Sequence, residues 1–274
     1  MKDAIASTQN MISGFASVDS AYGQSQFGSV ILWKGPTGTG KTSVAELAIN
    51  KWGGWYWRAR QVSTIRSMLS ELLTALGGCH LDYLHQRTAS LYERLRNQLL
   101  EVRPALLAVD ESDYLVRRIA HHDMLNVLRD LADDTGAIII FISVTQLAQH
   151  LATPGPFLET ISSRVCAQVE FKRPSLADAE ILARELLEGV KFDRDLISFC
   201  LRASAGSIRP LLRLYAEIER GAKWAGLSGS LSLAKCAALG LGKVSPAASA
   251  AKAVEVPEKL TAPSNTAPAK VRAA

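Results

Sequence analysis

The stretch GPTGTGKTS, Gly35 to Ser43, constrains this chain more than any other. It satisfies G-x-x-x-x-G-K-[S/T] through Gly35, Gly40, Lys41 and Thr42. The apolar run SVILW precedes it, and Val44, Leu47 and Ala48 begin a helical face behind it, the strand, loop and helix context such a motif needs. Glycines in that loop let backbone N–H groups curl around phosphates, and the helix N-terminus adds its partial positive charge. Lys41 is placed to reach the β- and γ-phosphates, and the Thr42 hydroxyl to bind Mg²⁺. Gly35, Pro36, Thr37, Gly38, Thr39, Gly40, Lys41, Thr42 and Ser43 are therefore the expected cradle for a nucleotide.

Hydrolysis needs more than a cradle, and LLAVDE supplies it. An apolar strand ends at Asp110, placed to bind Mg²⁺ directly or through water, and Glu111 follows as the candidate base for the attacking water. A guanine reader would need N-K-x-D, but Asn50-Lys51 is followed by Trp-Gly, so the expected nucleotide is ATP. LSGS at Leu227 to Ser230 follows the acidic strand instead of preceding it, which argues against a transporter-type ATPase.

Around these motifs, strand-like runs alternate with amphipathic segments, predicting an α/β fold with a mostly parallel five-stranded sheet. The runs are Ser29–Trp33, Gly54–Ala59, Ala105–Asp110, Ala137–Ser143 and Val165–Phe171. Ile65, Met68, Leu69, Leu72 and Leu73 mark one helical face, and Met124, Leu125, Val127, Leu128 and Leu131 another. After Pro174 the strand signal disappears. Ser175 is expected to cap a helix to about Leu187, Asp193 a second, and Ser207 a third through Tyr215, with Pro210 tolerated in its first turn. The predicted organisation is a nucleotide-binding core over 1–173, a helical lid over 174–242 and a Pro/Ala/Lys-rich tail over 243–274, the last with no aromatic residue and four prolines and so unable to bury enough to order itself.

A chain of 274 residues, 48% of them hydrophobic, can bury a sizeable core. Its four cysteines lie far apart with no C-x-x-C pair, against a disulfide framework or a zinc site. The start MKDAIASTQN carries no apolar run, and AIIIFISV is too short to span a bilayer, so a cytoplasmic protein is expected. The net charge is +5, but residues 243–274 hold five Lys/Arg and two Glu, so the body is only weakly basic. Charge alone does not establish a nucleic-acid partner.

With both motifs in hand, the chain resembles the AAA+ ATPases. Within them it is similar to the branch containing the B protein of Mu-like transposing phages and the TnsC-type transposition regulators. GPTGTGKTS and LLAVDESDYL carry the general resemblance; the short second strand followed by STIRSMLSELLTALG and the lid-like AGSIRPLLRLY carry the narrower one. The resemblance implies that Ser143 or Thr145 orients the lytic water. It also implies that Arg164 is an arginine finger acting on a neighbouring subunit, that Arg209 touches the nucleotide in cis, and that the protein works as a homo-oligomer, ring or filament. The phage branch can carry a helix-turn-helix domain ahead of the core, for which the roughly 34 residues before Gly35 are too few.

In such assemblies duplex DNA passes a channel lined by loops after the second strand and around the acidic strand, which puts Arg58, Arg60, Arg66, Arg117 and Arg118 at phosphates. The leading expectation is an ATP-dependent DNA-binding regulator of transposition that activates a transposase. The alternatives are a replication-initiator or helicase-loader ATPase, and a protein-remodelling or secretion-associated ATPase without a nucleic-acid role. The aromatics of WGGWYWRAR are read as core and the adjacent His121 and His122 as divergent on a helix, not as a metal pair.

Overall fold

A computed structural model describes residues 7–23, 28–83, 85–102, 104–117, 119–153 and 158–241. Thr8 opens the first helix, α1 (Gln9–Tyr22), its hydroxyl accepting the Met11 N–H as an N-cap. The phosphate-loop motif connects β1 (Ser29–Lys34) to α2 (Lys41–Trp52), as the sequence predicts. Then come β2 (Trp55–Arg58), α3 (Ile65–Ala75) behind a Thr64/Ser67 capping box, α4 (Thr88–Glu101) and β3 (Leu106–Asp110). The core continues through α5 (Ile119–Thr135), β4 (Ile138–Ser143), α6 (Gln146–Ala152), α7 (Glu159–Ser162) and β5 (Val165–Glu170).

The five strands form one all-parallel sheet in the order β2-β3-β4-β1-β5. β3 and β4 are buried along their whole length, which is why they read as continuous apolar runs instead of alternating ones. Their side chains part by period two. Ile31, Trp33, Leu106, Ala108 and Ile140 meet α1 and α2 on one face, while Leu32, Leu107, Val109, Ile139 and Phe141 meet α3, α4 and α5 on the other. α1 is fixed by long-range contacts: the fully buried Trp33 donates its indole N–H to Ser17 Oγ at 3.0 Å.

Beyond Pro174 the three expected helices are present: α8 (Leu176–Leu186), α9 (Arg194–Ala203) and α10 (Ile208–Trp224), followed by α11 (Leu233–Ala238). Ser175 caps α8 through a reciprocal box with Asp178. α10 runs past Tyr215 to Trp224 because Leu211, Tyr215, Ile218 and Ala222 keep the buried stripe going. The expectation that no strand follows Pro174 is corrected: β6 (Val190–Phe192) and β7 (Gly229–Leu231) pair in parallel. Three-residue strands are too short to show alternation. Asp193 and Ser207 start their helices without a side-chain cap bond; Asp193 instead accepts from the Ser230 hydroxyl, tying α9 to the strand pair. These elements close a core of their own around Leu196, Cys200, Tyr215 and Ile218. The predicted tail, residues 243–274, lies outside the described residues, as do Gly242 and Arg118. Among the described residues no helix is long and apolar enough to cross a membrane.

Candidate nucleotide site

The parallel strands end together at one edge of the sheet, where ligand crevices of open α/β sheets form. There a cavity of about 640 Å³ is lined by Thr37 to Ser43, by Tyr56 and Arg58 of β2, by Asp110 and Glu111, by Ser143, and by Arg209 of α10. Two glycines explain why the loop sequence is what it is. Gly35 has φ of 150°, and a Cβ there would lie 2.2 Å from Phe171 O; at Gly38, φ 79°, a Cβ would meet Ser207 Oγ at 2.0 Å. Gly35 and Pro36 lie beneath the cradle: their carbonyls accept the Lys41 ammonium at 2.6 and 2.8 Å. Burial pulls the Lys41 pKa down, against the opposing pull of Asp110, Asp113 and Glu111.

The acidic strand end meets the loop as the sequence predicts. The Thr42 hydroxyl donates to Asp110 Oδ2 at 2.7 Å. A hydroxyl and a carboxylate suit a hard cation, and Mg²⁺ typically takes one or two protein carboxylates with the remaining positions filled by phosphate and water. No group of three His, Cys, Asp or Glu capable of holding a metal occurs among the described residues. Thr42 and Asp110 therefore fit Mg²⁺ as the companion of a nucleotide, not as a free-standing metal centre.

Glu111 is one of two non-glycine residues with positive φ among the described residues, at 53°, where the chain leaves β3 and turns into Ser112–Leu115. Its amide donates to Asp110 Oδ1 at 2.7 Å, and its carboxylate pairs with Arg58 at 3.1 Å. Strained backbone at such a position is where functional groups are often held.

Three residues contribute that the sequence did not single out. Tyr56 donates its hydroxyl to Asp110 Oδ2 at 2.7 Å, and burial, with that carboxylate, pushes its pKa up so that it stays a donor. Asp113, only 5% exposed, gathers four donors: Ser143 Oγ at 2.6 Å and the amides of Val144, Thr145 and Leu147 at 2.8, 3.3 and 2.8 Å. Burial alone would raise its pKa, but these bonds outweigh it and hold the carboxyl below its ordinary value. Asn10 of α1 donates to Thr39 O at 3.1 Å and to Lys172 O at 2.7 Å, and accepts from the Lys172 amide. It joins the phosphate loop to the segment leading into α8. The start of α10 also touches the loop directly: the Ile208 amide donates to Gly38 O at 2.8 Å.

The other predicted residues are placed as follows. Of the two water-orienting candidates, Ser143 lines the cavity, whereas Thr145 starts α6 outside it. Arg209 is exposed at the cavity wall. Arg164 does not line the cavity of its own chain; it pairs with Asp133 at 2.6 Å beside β5. Of the arginines expected at DNA, Arg58 sits in this cavity, paired with Glu111. Arg60 pairs with Glu71 at 3.4 Å, Arg66 reaches Tyr83 O, and Arg117 donates to Gln146 and lies over the Tyr114 ring. Trp57 is buried with its N–H on Glu71, as a core aromatic.

Residues 26–151 match the family model of the AAA domain. The cavity residues from Thr37 to Ser143 fall inside that span, while Arg209 and the second core lie beyond it. Comparison with curated proteins gives no match. Among solved structures, the ORC1 protein of Aeropyrum pernix in complex with DNA is similar with a TM-score of 0.59 and 21% identity, over 82% of this chain and 62% of that one. The ORC2 protein of the same organism in its ADP form gives 0.61 and 13%, over 81% and 64%. A point mutant of Thermotoga maritima RuvB gives 0.54 and 12%, over 83% and 67%. At these identities the likeness is one of fold alone. The chain spans less than two thirds of the length of the two ORC chains.

Proposed function

We propose that the protein binds ATP with Mg²⁺, hydrolyses it, and uses the cycle to switch a homo-oligomer on duplex DNA, in the manner of a replication initiator or loader. The observation that carries this is the convergence of Lys41 and Thr42 from α2, Asp110 and Glu111 from β3 and Arg209 from the lid on one cavity. A cleft lined from two separately cored units reads bound nucleotide as a relative position of those units.

In this reading, Thr37 to Ser43 cradle the phosphates above Gly35 and Pro36, Thr42 and Asp110 hold Mg²⁺, and Glu111 takes the proton of the attacking water. Ser143, not Thr145, orients that water, since it alone of the two lines the cavity. Arg209 meets the nucleotide in cis, and Arg164 serves the neighbouring copy, consistent with its place away from its own cavity. Residues 1–173 act as the core and 174–242 as the lid. Arg60, Arg66 and Arg117 remain the candidate phosphate contacts. The bond of Arg117 to the exposed Gln146 and the surface pair of Arg60 with Glu71 are ones that polyanion binding can displace at small cost.

The likeness to an ORC chain in complex with DNA supports the initiator reading over a regulator of transposition with a transposase partner, which would use the same cleft. The experiment is binding to random-sequence duplex DNA with ATP, ADP or no nucleotide across a salt series, with complex size read by electron microscopy. ATP-dependent, salt-sensitive assembly on the duplex is expected. Absence of binding in every nucleotide state would overturn the DNA role.

A further inference from the structure

Three of the roughly four lone-pair sites of the Asp110 carboxylate are occupied in this fold. Oδ2 accepts two hydroxyl protons, from Thr42 and from Tyr56, each at 2.7 Å, while Oδ1 accepts the Glu111 amide. A carboxylate oxygen offers two in-plane lone pairs, so Oδ2 has one partner on each. The partners differ in role. Thr42 can offer a lone pair of its hydroxyl oxygen to a cation while its proton stays on Oδ2, whereas Tyr56 bonds the carboxylate from the neighbouring strand β2.

Strand register is what brings Tyr56 there. Tyr56 sits opposite Ala108 and Arg58 opposite Asp110, so β2 presents Tyr56 and Arg58 to the cleft and sends Trp57 into the core. Tyr56 packs, partly buried, against the core cluster on the α1/α2 face of the sheet, an apolar body with one polar tip. No sheet residue needs a hydroxyl to fill that place, yet this one ends on the carboxylate expected to carry the metal.

We propose that Tyr56 is a positioning residue that holds the Asp110 carboxylate in place for a divalent cation shared with Thr42. This rests on the reading of the cavity as a Mg²⁺–nucleotide site. Tyr56 contacts neither nucleotide nor water in this role; it acts through Asp110.

The test is Tyr56→Phe in the full chain, which removes one oxygen and keeps the packed ring. Two calorimetric titrations separate the roles: ADP into protein in EDTA, and Mg²⁺ into protein saturated with ADP. The metal-free ADP affinity is expected to stay within about twofold, while the Mg²⁺ dissociation constant rises about tenfold, the order of one lost hydrogen bond to a charged acceptor. Tyr92→Phe, which deletes another tyrosine bond to a carboxylate, on Asp134 at 2.9 Å and far from the cleft, is the control and should move neither. An unchanged Mg²⁺ constant in Tyr56→Phe overturns the role of Tyr56 alone. Equal losses in both titrations overturn it too, by showing a general effect on the cleft. A parent protein that binds no ADP overturns the nucleotide reading and this proposal with it.

Discussion

Arg58 Nη2 lies 3.1 Å from Glu111 Oε1, so the residue assigned as the base for water is tethered to the neighbouring strand. Both side chains are substantially exposed, and such a pair is worth no more than about 1 kcal/mol. Arg58→Ala should therefore raise ATP turnover by no more than about fivefold, the equivalent of that energy. Steady-state hydrolysis at low and high salt checks this, and the gain should shrink as salt screens the pair in the parent.

Glu111 also turns the chain with φ of 53°, a conformation that costs a side chain about 1 kcal/mol. Glu111→Gly and Glu111→Ala both remove the carboxylate, so both should lose turnover, but the glycine variant should unfold at the same or a higher temperature than the alanine variant. Thermal melts of the pair decide it. An alanine variant clearly more stable than glycine would show that the turn is not strained.

Asp113 organises the end of β4 and the start of α6 with four accepted hydrogen bonds. Asp113→Asn sets an amide N–H₂ against some of those donors and should cost about 2 kcal/mol, roughly 4–8 °C in melting temperature. Because the folded carboxyl is a stronger acid than in the unfolded chain, its stabilisation is complete above the ordinary aspartate value of 3.8 and is lost as pH falls below it. The parent should thus lose stability on acidification in that window more steeply than Asp113→Asn does, as melts taken from neutral pH downward would show.

Asn10 bonds both Thr39 of the phosphate loop and Lys172 of the segment entering α8. Asn10→Ala should lower stability by about 1–2 kcal/mol and weaken ATP binding severalfold, because the loop loses an anchor outside its own sequence. Nucleotide titration and thermal unfolding, made on the same preparation, check both effects.

These residues also show what could be seen before the structure. Gly35 to Ser43 and Asp110–Glu111 are legible because each is a contiguous motif whose chemistry follows from residue type. The sheet is legible because both faces of β3 and β4 are covered, leaving unbroken apolar runs. Asn10, Tyr56 and Asp113 are not, because their partners lie 29, 54 and 30 residues away and only the packing of α1 on the sheet and of the parallel strands on one another brings them together. Arg58 read as a DNA contact for the same reason: a basic residue after a strand carries no mark of the acidic residue it will face. The pairing of β6 with β7 rests on three-residue segments with no period to read.

The account turns on whether this cleft handles ATP through Lys41 and Glu111. The most direct measurement is ATP binding and single-turnover hydrolysis by the parent, Lys41→Ala and Glu111→Gln under one set of conditions. The parent should bind and hydrolyse; Lys41→Ala should lose binding; Glu111→Gln should bind as the parent does and hydrolyse far more slowly. Parent-like binding by Lys41→Ala, or parent-rate hydrolysis by Glu111→Gln, would contradict it.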